Sequence, residues 1–291
     1  MQENKKGASG IIIMLISAVC FSTSGMFFKF ISWGPISING ARNLIGSGVL
    51  ALFMFITKHK IKINRSVFTG AACVFLTSLL FSYANKMTSS ANAIVLQFTM
   101  PIFVILFMAL FYHKKPIPSD IFACVGIFGG IVCFFIDGLS SGGMFGNFLA
   151  LCSGCTYAGV FMMNMGKDSD SLSSSLCGQL LAAVVGVPFI FTETDFSASV
   201  VTAVVAMGII EIGLAYLLLS IGILRTTPLA ASLISAIEPI LNPILVAIFF
   251  HEMLSAAAFI GTGLVVITLV IYNVYQVFAA RSAKKISNLQ N

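Results

Sequence analysis

PIFVILFMALFYH (Pro101–His113) and PILNPILVAIFFH (Pro239–His251) are two similar apolar segments that lie 138 positions apart in the chain. Five positions are identical at this offset: Pro101/Pro239, Ile102/Ile240, Ala109/Ala247, Phe111/Phe249 and His113/His251. The match continues upstream at the same offset with Ser82/Ser220, Thr88/Thr226 and Ala93/Ala231. Apolar helices resemble one another by chance, but an ungapped match that includes proline and histidine predicts an internal repeat.

The composition around these segments predicts an all-α integral membrane protein. Of the 291 residues, 58% are hydrophobic and only 9% are charged, whereas a soluble domain carries about a quarter charged residues. Ten spans of ~20 residues use roughly 200 positions and leave no room for a soluble catalytic or nucleic-acid-binding domain. The predicted spans are 10–31, 36–57, 66–85, 89–112, 119–136, 143–165, 172–191, 198–222, 228–250 and 255–278.

The basic residues predict the orientation of these spans. With a cytoplasmic N-terminus, thirteen of the sixteen cations fall in cytoplasmic segments: Lys5, Lys6, Lys58, Lys60, Lys62, Arg65, Lys114, Lys115, Lys167, Arg225, Arg281, Lys284 and Lys285. The outer connectors carry Asp137, Glu193 and Asp195 instead. This bias predicts a multi-pass inner (plasma) membrane protein with both termini cytoplasmic. The fourth and ninth spans then run in opposite directions, so the two copies are five-helix repeats of inverted topology.

The chain lacks the side-chain patterns of an enzyme or a metalloprotein. All seven cysteines fall in apolar stretches, and His59, His113 and His251 each lie at the end of a different span. No metal site, cofactor or catalytic cluster is expected, and no GxxxxGK[ST] loop for ATP hydrolysis occurs. The expected partners are a small-molecule substrate and membrane lipid, without nucleic acid. Gly126 and Gly130 predict a close helix contact, within the fold or in a homodimer, so the protein is either a monomer or a homodimer.

Several motifs resemble the drug/metabolite transporter superfamily with two EamA-type repeats. The similar segments, in chain order, are FSTSGMFFKF with Lys29, GPISINGARNLIGSG with Arg42, GNFLALCSGCTYAGVFMMN, and RTTPLAASLISAIEPILNPILVAIFFHE from Arg225 to Glu252. The first repeat departs from this pattern at Met100, before Pro101, and at Lys114, where the second repeat has Glu252. The resemblance implies repeats at 1–138 and 139–280, followed by a basic tail at 281–291.

The same resemblance implies a secondary transporter that moves a small metabolite by alternating access. Amino acids, amines and drug-like solutes are the implied cargo, export is the implied direction, and a proton or solute gradient would supply the energy. Uptake on the same scaffold is the alternative. A non-transporting membrane protein is a more distant alternative, because it has no need for two acids near the membrane centre. An intramembrane enzyme is equally distant, because the histidines are scattered and no carboxylate cluster occurs.

Glu238 and Glu211 are these two acids. Glu238 precedes Pro239, and Pro243 follows one turn later, so the ninth span is expected to kink there, as Pro101 predicts for the fourth. Glu238 either binds a substrate amine or a coupling proton, or is a structural acid at the kink. Glu211 is either a specificity or coupling residue or the partner of Arg42. Arg42 in turn anchors a substrate carboxylate, neutralises Glu211 or closes an outer gate.

Uncharged polar residues near mid-span complete the predicted lining of a central site. They are Ser22, Thr23, Gln97, Thr156, Tyr157, Ser235 and Asn242, and Gln97 aligns with Ser235 in the repeat. Inter-helix hydrogen bonding is the alternative role for each.

Overall fold

The structure, a computed structural model, describes residues 2–114, 117–141, 143–166, 168–226, 228–251 and 256–289. Lys115, Lys167 and Glu252, named above, lie outside the described residues. The described residues form helices and connections without any strand, which confirms the all-helical class. The helices are α1 (Gln2–Ser22), α2 (Ser24–Phe30), α3 (Pro35–Ile56), α4 (Arg65–Met87), α5 (Ser90–Gln97), α6 (Met100–Tyr112), α7 (Pro118–Ser141), α8 (Met144–Met162), α9 (Ser171–Ile190), α10 (Ala198–Met207), α11 (Ala215–Gly222), α12 (Pro228–Ile234), α13 (Glu238–Phe250) and α14 (Ala256–Leu289).

Seven helical segments within the described ranges are long and apolar enough to cross a membrane. They are Gly10–Phe30, Pro35–Ile56, Arg65–Met87, Ser90–Tyr112, Met144–Met162, Ser171–Ile190 and Ala198–Gly222. Three shorter apolar helices, Ile121–Gly130, Glu238–Phe250 and Phe259–Tyr272, fall within the other predicted spans. The chain is therefore a multi-pass membrane protein, and the count of ten crossings stays a prediction.

Two helical spans are interrupted at positions that correspond at the sequence offset of 138. Phe98 and Thr99 separate α5 from α6, and a 3₁₀ turn, Ser235–Ile237, separates α12 from α13. Each following helix has a proline as its second residue, where the missing backbone N–H costs no helical hydrogen bond. The helix from Met100 is followed by His113 with φ 52°, and the helix from Glu238 is followed by His251 with φ 53°. The two segments thus share the same local backbone.

The helices pack mainly in pairs that join the two halves of the chain. The most extensive contacts are between α3 and α9, α4 and α8, and α7 and α14, followed by α4 with α9. Gly40 of α3 and Gly186 of α9 lie backbone to backbone, so a Cβ atom on either would collide with the other helix. Gly126 and Gly130 contact Thr268 and Val265 of α14, which places this motif inside the fold.

A first clasp joins the α2–α3 connection to the α9–α10 connection at one end of the α3–α9 pair. Asp195 accepts a hydrogen bond from the Ser32 hydroxyl at 2.7 Å, and its carbonyl accepts one from the Trp33 indole at 2.6 Å. Glu193 accepts a bond from the Gly34 amide at 2.9 Å. The hydrogen bonds from Ser32 and from the Ser197 amide hold the pKa of Asp195 below its usual range.

A second clasp joins the α3–α4 connection to the start of α9 at the other end of the same pair. Nε2 of His59 lies 2.7 Å from a carboxylate oxygen of Asp170, which also caps α9. The Lys62 amide donates to the Ser173 hydroxyl at 3.0 Å, and the Asn64 side chain donates to the Asp168 carbonyl at 2.8 Å. Helices α3 and α9 are thus fastened at both ends.

Candidate functional site

Arg42 and Glu211 form a buried ion pair. Nη1 of Arg42 donates to both carboxylate oxygens of Glu211, at 2.7 and 2.8 Å. The exposed fractions of the two side chains are 1% and 4%. The pairing that the sequence left open as an alternative for Glu211 is therefore present, between α3 and a segment 169 positions further along the chain.

Glu211 lies in a π-helical segment, Gly208–Leu214, that joins α10 to α11. π-Helical turns are rare because they widen the helix, and they occur frequently at functional sites. The segment packs against α3, where Gly208 lies against the Arg42 carbonyl and Gly213 against Val49. These glycines allow the wide turn to approach α3 closely enough for the carboxylate to reach Arg42.

Polar side chains of α3 and α4 hold the rest of the Arg42 guanidinium. Nη2 donates to the Ser78 carbonyl and hydroxyl, each at 3.0 Å, and to the Ser82 hydroxyl at 2.9 Å. The Ser78 hydroxyl donates to Asn39 at 2.7 Å and accepts from Asn43 at 2.9 Å. The Arg42 side chain also lies over the Phe28 ring, 5.0 Å from its centroid. This network fixes Arg42 in one orientation, because Nη1 and Nη2 both donate to acceptors, whereas Nε has no hydrogen-bond partner among the described residues.

Glu238 and Tyr157 carry buried polar atoms that do not take part in this network. Both residues are buried, and neither Oε2 of Glu238 nor the Tyr157 hydroxyl has a hydrogen-bond partner among the described residues. Buried polar atoms without partners are unusual in folded proteins, and each calls for an explanation. The first residue of α13 thus offers a free carboxyl oxygen next to the 3₁₀ interruption.

A small cavity of about 20 Å³ brings these groups together. It is lined by side chains from both halves of the chain: Phe21, Arg42, Thr77, Ser78, Phe81, Gln97, Tyr157, Glu211, Ile212, Tyr216 and Glu238. The volume is enough for about one water molecule. Phe21 stacks edge-on against Tyr157 and Tyr216, with ring centroids 6.3 and 5.2 Å apart, so one side of the cavity is aromatic.

Five of the eight binding or coupling residues expected from the sequence line this cavity: Arg42, Gln97, Tyr157, Glu211 and Glu238. The other three do not. Thr23 donates to the Cys20 carbonyl at the α1–α2 boundary, and Asn242 donates to Ser24 at 3.0 Å. Ser235 is buried in the 3₁₀ turn. Helix α13 continues through Pro243, where the sequence analysis also expected a kink.

The sequence analysis missed the serines and aromatic rings of the site. Ser78 and Ser82 are four positions apart on one helix face, a spacing that places two hydroxyls side by side, but neither was singled out as a ligand of Arg42. Phe21 and Tyr216 carry no distinguishing signal, since aromatic residues occur throughout the spans. No three His, Cys, Asp or Glu side chains of the described residues group closely enough to hold a metal ion.

Comparison with known proteins identifies a family. The model of the EamA-like transporter family matches residues 8–136 and again residues 144–274. "Uncharacterized transporter YcbK" of Bacillus subtilis (strain 168) is 25% identical over 286 residues, covering 89% of this chain and 91% of its own. "Uncharacterized transporter YwfM" of the same organism is 25% identical over 279 residues, covering 91% of this chain and 94% of its own.

A solved crystal structure shares the fold. It superposes with a TM-score of 0.71 at 18% sequence identity, over 92% of this chain and 98% of its own. At this identity the likeness concerns the arrangement of the helices alone.

Proposed function

The chain belongs to the EamA-like transporter family, and on this premise we propose that it is a secondary carrier that exports a small organic solute by alternating access. Family membership and the names of its relatives identify a membrane transporter rather than an enzyme. Amines, amino acids and drug-like solutes are the proposed cargo. Uptake of such a solute on the same scaffold is the alternative.

The observation that carries the proposal is the buried cavity with an unpartnered carboxyl oxygen at Glu238. Secondary transporters bind their substrates where two repeats meet, beside discontinuous helices whose free backbone groups line the site. Here α5–α6 and α12–α13 are both discontinuous, and Gln97 and Glu238 at these interruptions line one cavity. An acid buried within a membrane protein is energetically costly and is therefore a candidate for a functional role.

The charges around the cavity favour a solute with an amine. Arg42 and Glu211 neutralise each other, so Glu238 is the acid left to meet a positive charge or a coupling proton. The rings of Phe21, Tyr157 and Tyr216 offer faces that attract an organic cation. A cavity of about 20 Å³ cannot hold such a solute, so binding requires its walls to separate, as alternating access demands.

The inverted repeat is part of the proposal, with units at 1–138 and 139–280 and ten crossings in total. Two observations support it. The family model matches the chain twice in succession, at 8–136 and 144–274. The helix contacts also repeat when the halves are exchanged: α4 packs on α8 as α11 packs on α1, and α4 packs on α9 as the π segment packs on α3. The basic residues support cytoplasmic termini in the inner membrane.

Exchange in proteoliposomes tests the proposal. Purified protein is reconstituted in liposomes loaded with unlabelled amines, amino acids or drug-like cations, and uptake of the labelled solute is followed. We expect saturable exchange of one class that Glu238→Gln abolishes, whereas Asp168→Asn, a control on an exposed loop, leaves it intact. Exchange that survives in folded Glu238→Gln would remove this acid from the mechanism. Exchange absent for the whole panel with folded protein would count against a carrier.

Proton coupling is tested in the same liposomes with a pH-sensitive dye in the lumen. Coupling predicts that solute movement shifts the internal pH and that Glu238→Gln removes this shift. Solute flux without any proton movement would reject coupling and leave the solute gradient as the energy source.

A further inference from the structure

A groove of about 460 Å³ opens at the end of α3, remote from the central cavity. Its lining is apolar apart from one lysine and one histidine: Ala51, Met54, Phe55, Lys58, His59, Ile61 and Leu176. This volume lies within the range of about 300–1,000 Å³ that is typical of sites for small organic molecules. The groove is therefore large enough to hold part of an amphiphilic molecule.

Exposed apolar side chains occur in the lining of the groove and in the chain segment that follows it. Phe55 is 83% exposed and Ile63 is 91% exposed, and Phe68 at the start of α4 is exposed as well. Large apolar side chains exposed together mark a contact surface, and on a membrane protein that contact is lipid. The apolar wall of the groove thus continues into the lipid-facing surface of the helices.

Four cations lie beside this surface within eight positions: Lys58, Lys60, Lys62 and Arg65. All four are exposed, and within the described part of the chain none has an ion-pair partner. The nearby acids of the second clasp are Asp168 and Asp170, and Asp170 is already engaged by His59. The surface beside the groove therefore carries excess positive charge, next to apolar walls.

The second clasp holds the cationic segment in place before any ligand binds. The Lys62 amide is bonded to Ser173, and the Asn64 side chain both caps α4 and contacts the Asp168 carbonyl. Lys58 has a left-handed backbone, with φ 52°, which ends α3 and turns the chain along the groove. Binding to a preorganised segment costs less conformational entropy than binding to a loose one.

From this combination we propose that the groove is a binding site for one anionic phospholipid. Its phosphate lies against Lys58, within the field of Lys60 and Lys62, and one acyl chain follows Met54, Phe55 and Leu176. Basic residues at the ends of membrane helices attract anionic lipid, and the contribution of each is about fivefold in affinity. The site is independent of the central cavity and of the cargo.

Native mass spectrometry of the full chain in a non-ionic detergent tests the site. The probes are dioleoyl-phosphatidylglycerol, dioleoyl-phosphatidylcholine with the same acyl chains, and inorganic phosphate as competitor. Lys58→Asn removes the charge and keeps a residue type that tolerates the left-handed backbone. Lys114→Asn, an exposed lysine beyond α6, is the matched control. Ala51→Phe, at an exposed position, fills the groove without entering the core.

We expect one tightly bound phosphatidylglycerol per chain and weaker phosphatidylcholine. Lys58→Asn weakens phosphatidylglycerol about fivefold, the triple variant with Lys60→Asn and Lys62→Asn weakens it about a hundredfold, and Lys114→Asn binds as the parent does. Ala51→Phe weakens both lipids. Equal affinity for the two lipids, or unchanged binding in Lys58→Asn, would overturn the proposal. Full competition by inorganic phosphate would show a free-anion site instead. Circular dichroism confirms that each variant is folded.

Discussion

The buried pair of Arg42 and Glu211 makes a prediction that separates a structural role from a transport role. Glu211→Gln removes one charge at almost constant volume and leaves the Arg42 cation, which is 1% exposed, without its counter-charge. Charges about 4 Å apart at an effective dielectric constant of 20 interact by about 4 kcal/mol. Breaking a buried pair costs about 3–5 kcal/mol, in agreement with this figure.

The opposite variant, Arg42→Gln, is expected to cost less than Glu211→Gln. An arginine cannot lose its proton inside a protein, whereas a carboxyl group left without its cation can take one up. The double variant Arg42→Gln/Glu211→Gln removes both charges together. Its cost is expected to fall below the sum of the single costs by about 2 kcal/mol or more, because no charge is left uncompensated.

Reversible unfolding in mixed micelles, followed by circular dichroism, measures all four proteins. The same samples are then tested for exchange in liposomes. A double variant that is stable but inactive assigns both structural and transport roles to the pair, and a double variant that is stable and active assigns the structural role alone. Single costs that simply add in the double variant would refute the reasoning, since the charges would then not interact.

Three further predictions concern packing, a clasp and the cavity. Gly40→Ala destabilises the protein by about 1–3 kcal/mol, because its Cβ meets the Gly186 backbone, whereas Gly48→Ala on the same helix has open space and is neutral or stabilising in the same unfolding measurement. Asp195→Ala weakens the first clasp at neutral pH. Because hydrogen bonds lower the pKa of Asp195, the difference in stability between the parent and the variant is full above about pH 4 and disappears as the pH falls further. Unfolding at a series of pH values checks this. Tyr157→Phe removes the unpartnered hydroxyl at constant packing, so the stability of the protein stays the same or rises. The Michaelis constant for solute exchange increases, because the solute loses a hydrogen-bond partner. An unchanged Michaelis constant would exclude contact between this hydroxyl and the solute.

Sequence patterns predicted the features that depend on local chemistry. The apolar spans follow from composition, and the interruptions near Pro101 and Pro239 lie where proline removes a backbone donor. The similar segments Pro101–His113 and Pro239–His251 each lie in a helix of 13 residues that is followed by a histidine with a left-handed backbone, and the inverted repeat itself stays a prediction. Each of these sequence signals lies within a few residues of the structural feature that it predicts.

Features that join distant parts of the chain were less accessible. The choice between Arg42 and a solute as partner of Glu211 stayed open, because 169 positions separate the pair and no local pattern brings them together. The π segment around Glu211 was not predicted, because the close contact that its glycines make with α3 joins parts of the chain that are far apart in sequence. Asn242 was expected in the site as an uncharged polar residue near mid-span, but its amide contacts Ser24 of α2, which no local pattern indicates.

The two clasps hold α3 and α9 together at both ends and so restrict the separation of the two helices. Two helices that contact each other only at their middle can separate at either end. A pair that is held at both ends is expected to move as one rigid body. Under the proposed alternating access, a path from the cavity to either membrane face is therefore expected to form among the helices that carry Gln97, Tyr157 and Glu238. In the same proposal, Arg42 stays with the fastened α3–α9 pair, whereas Glu238 lies on α13, outside that pair. The distance between the Arg42–Glu211 pair and Glu238 is then expected to change during transport.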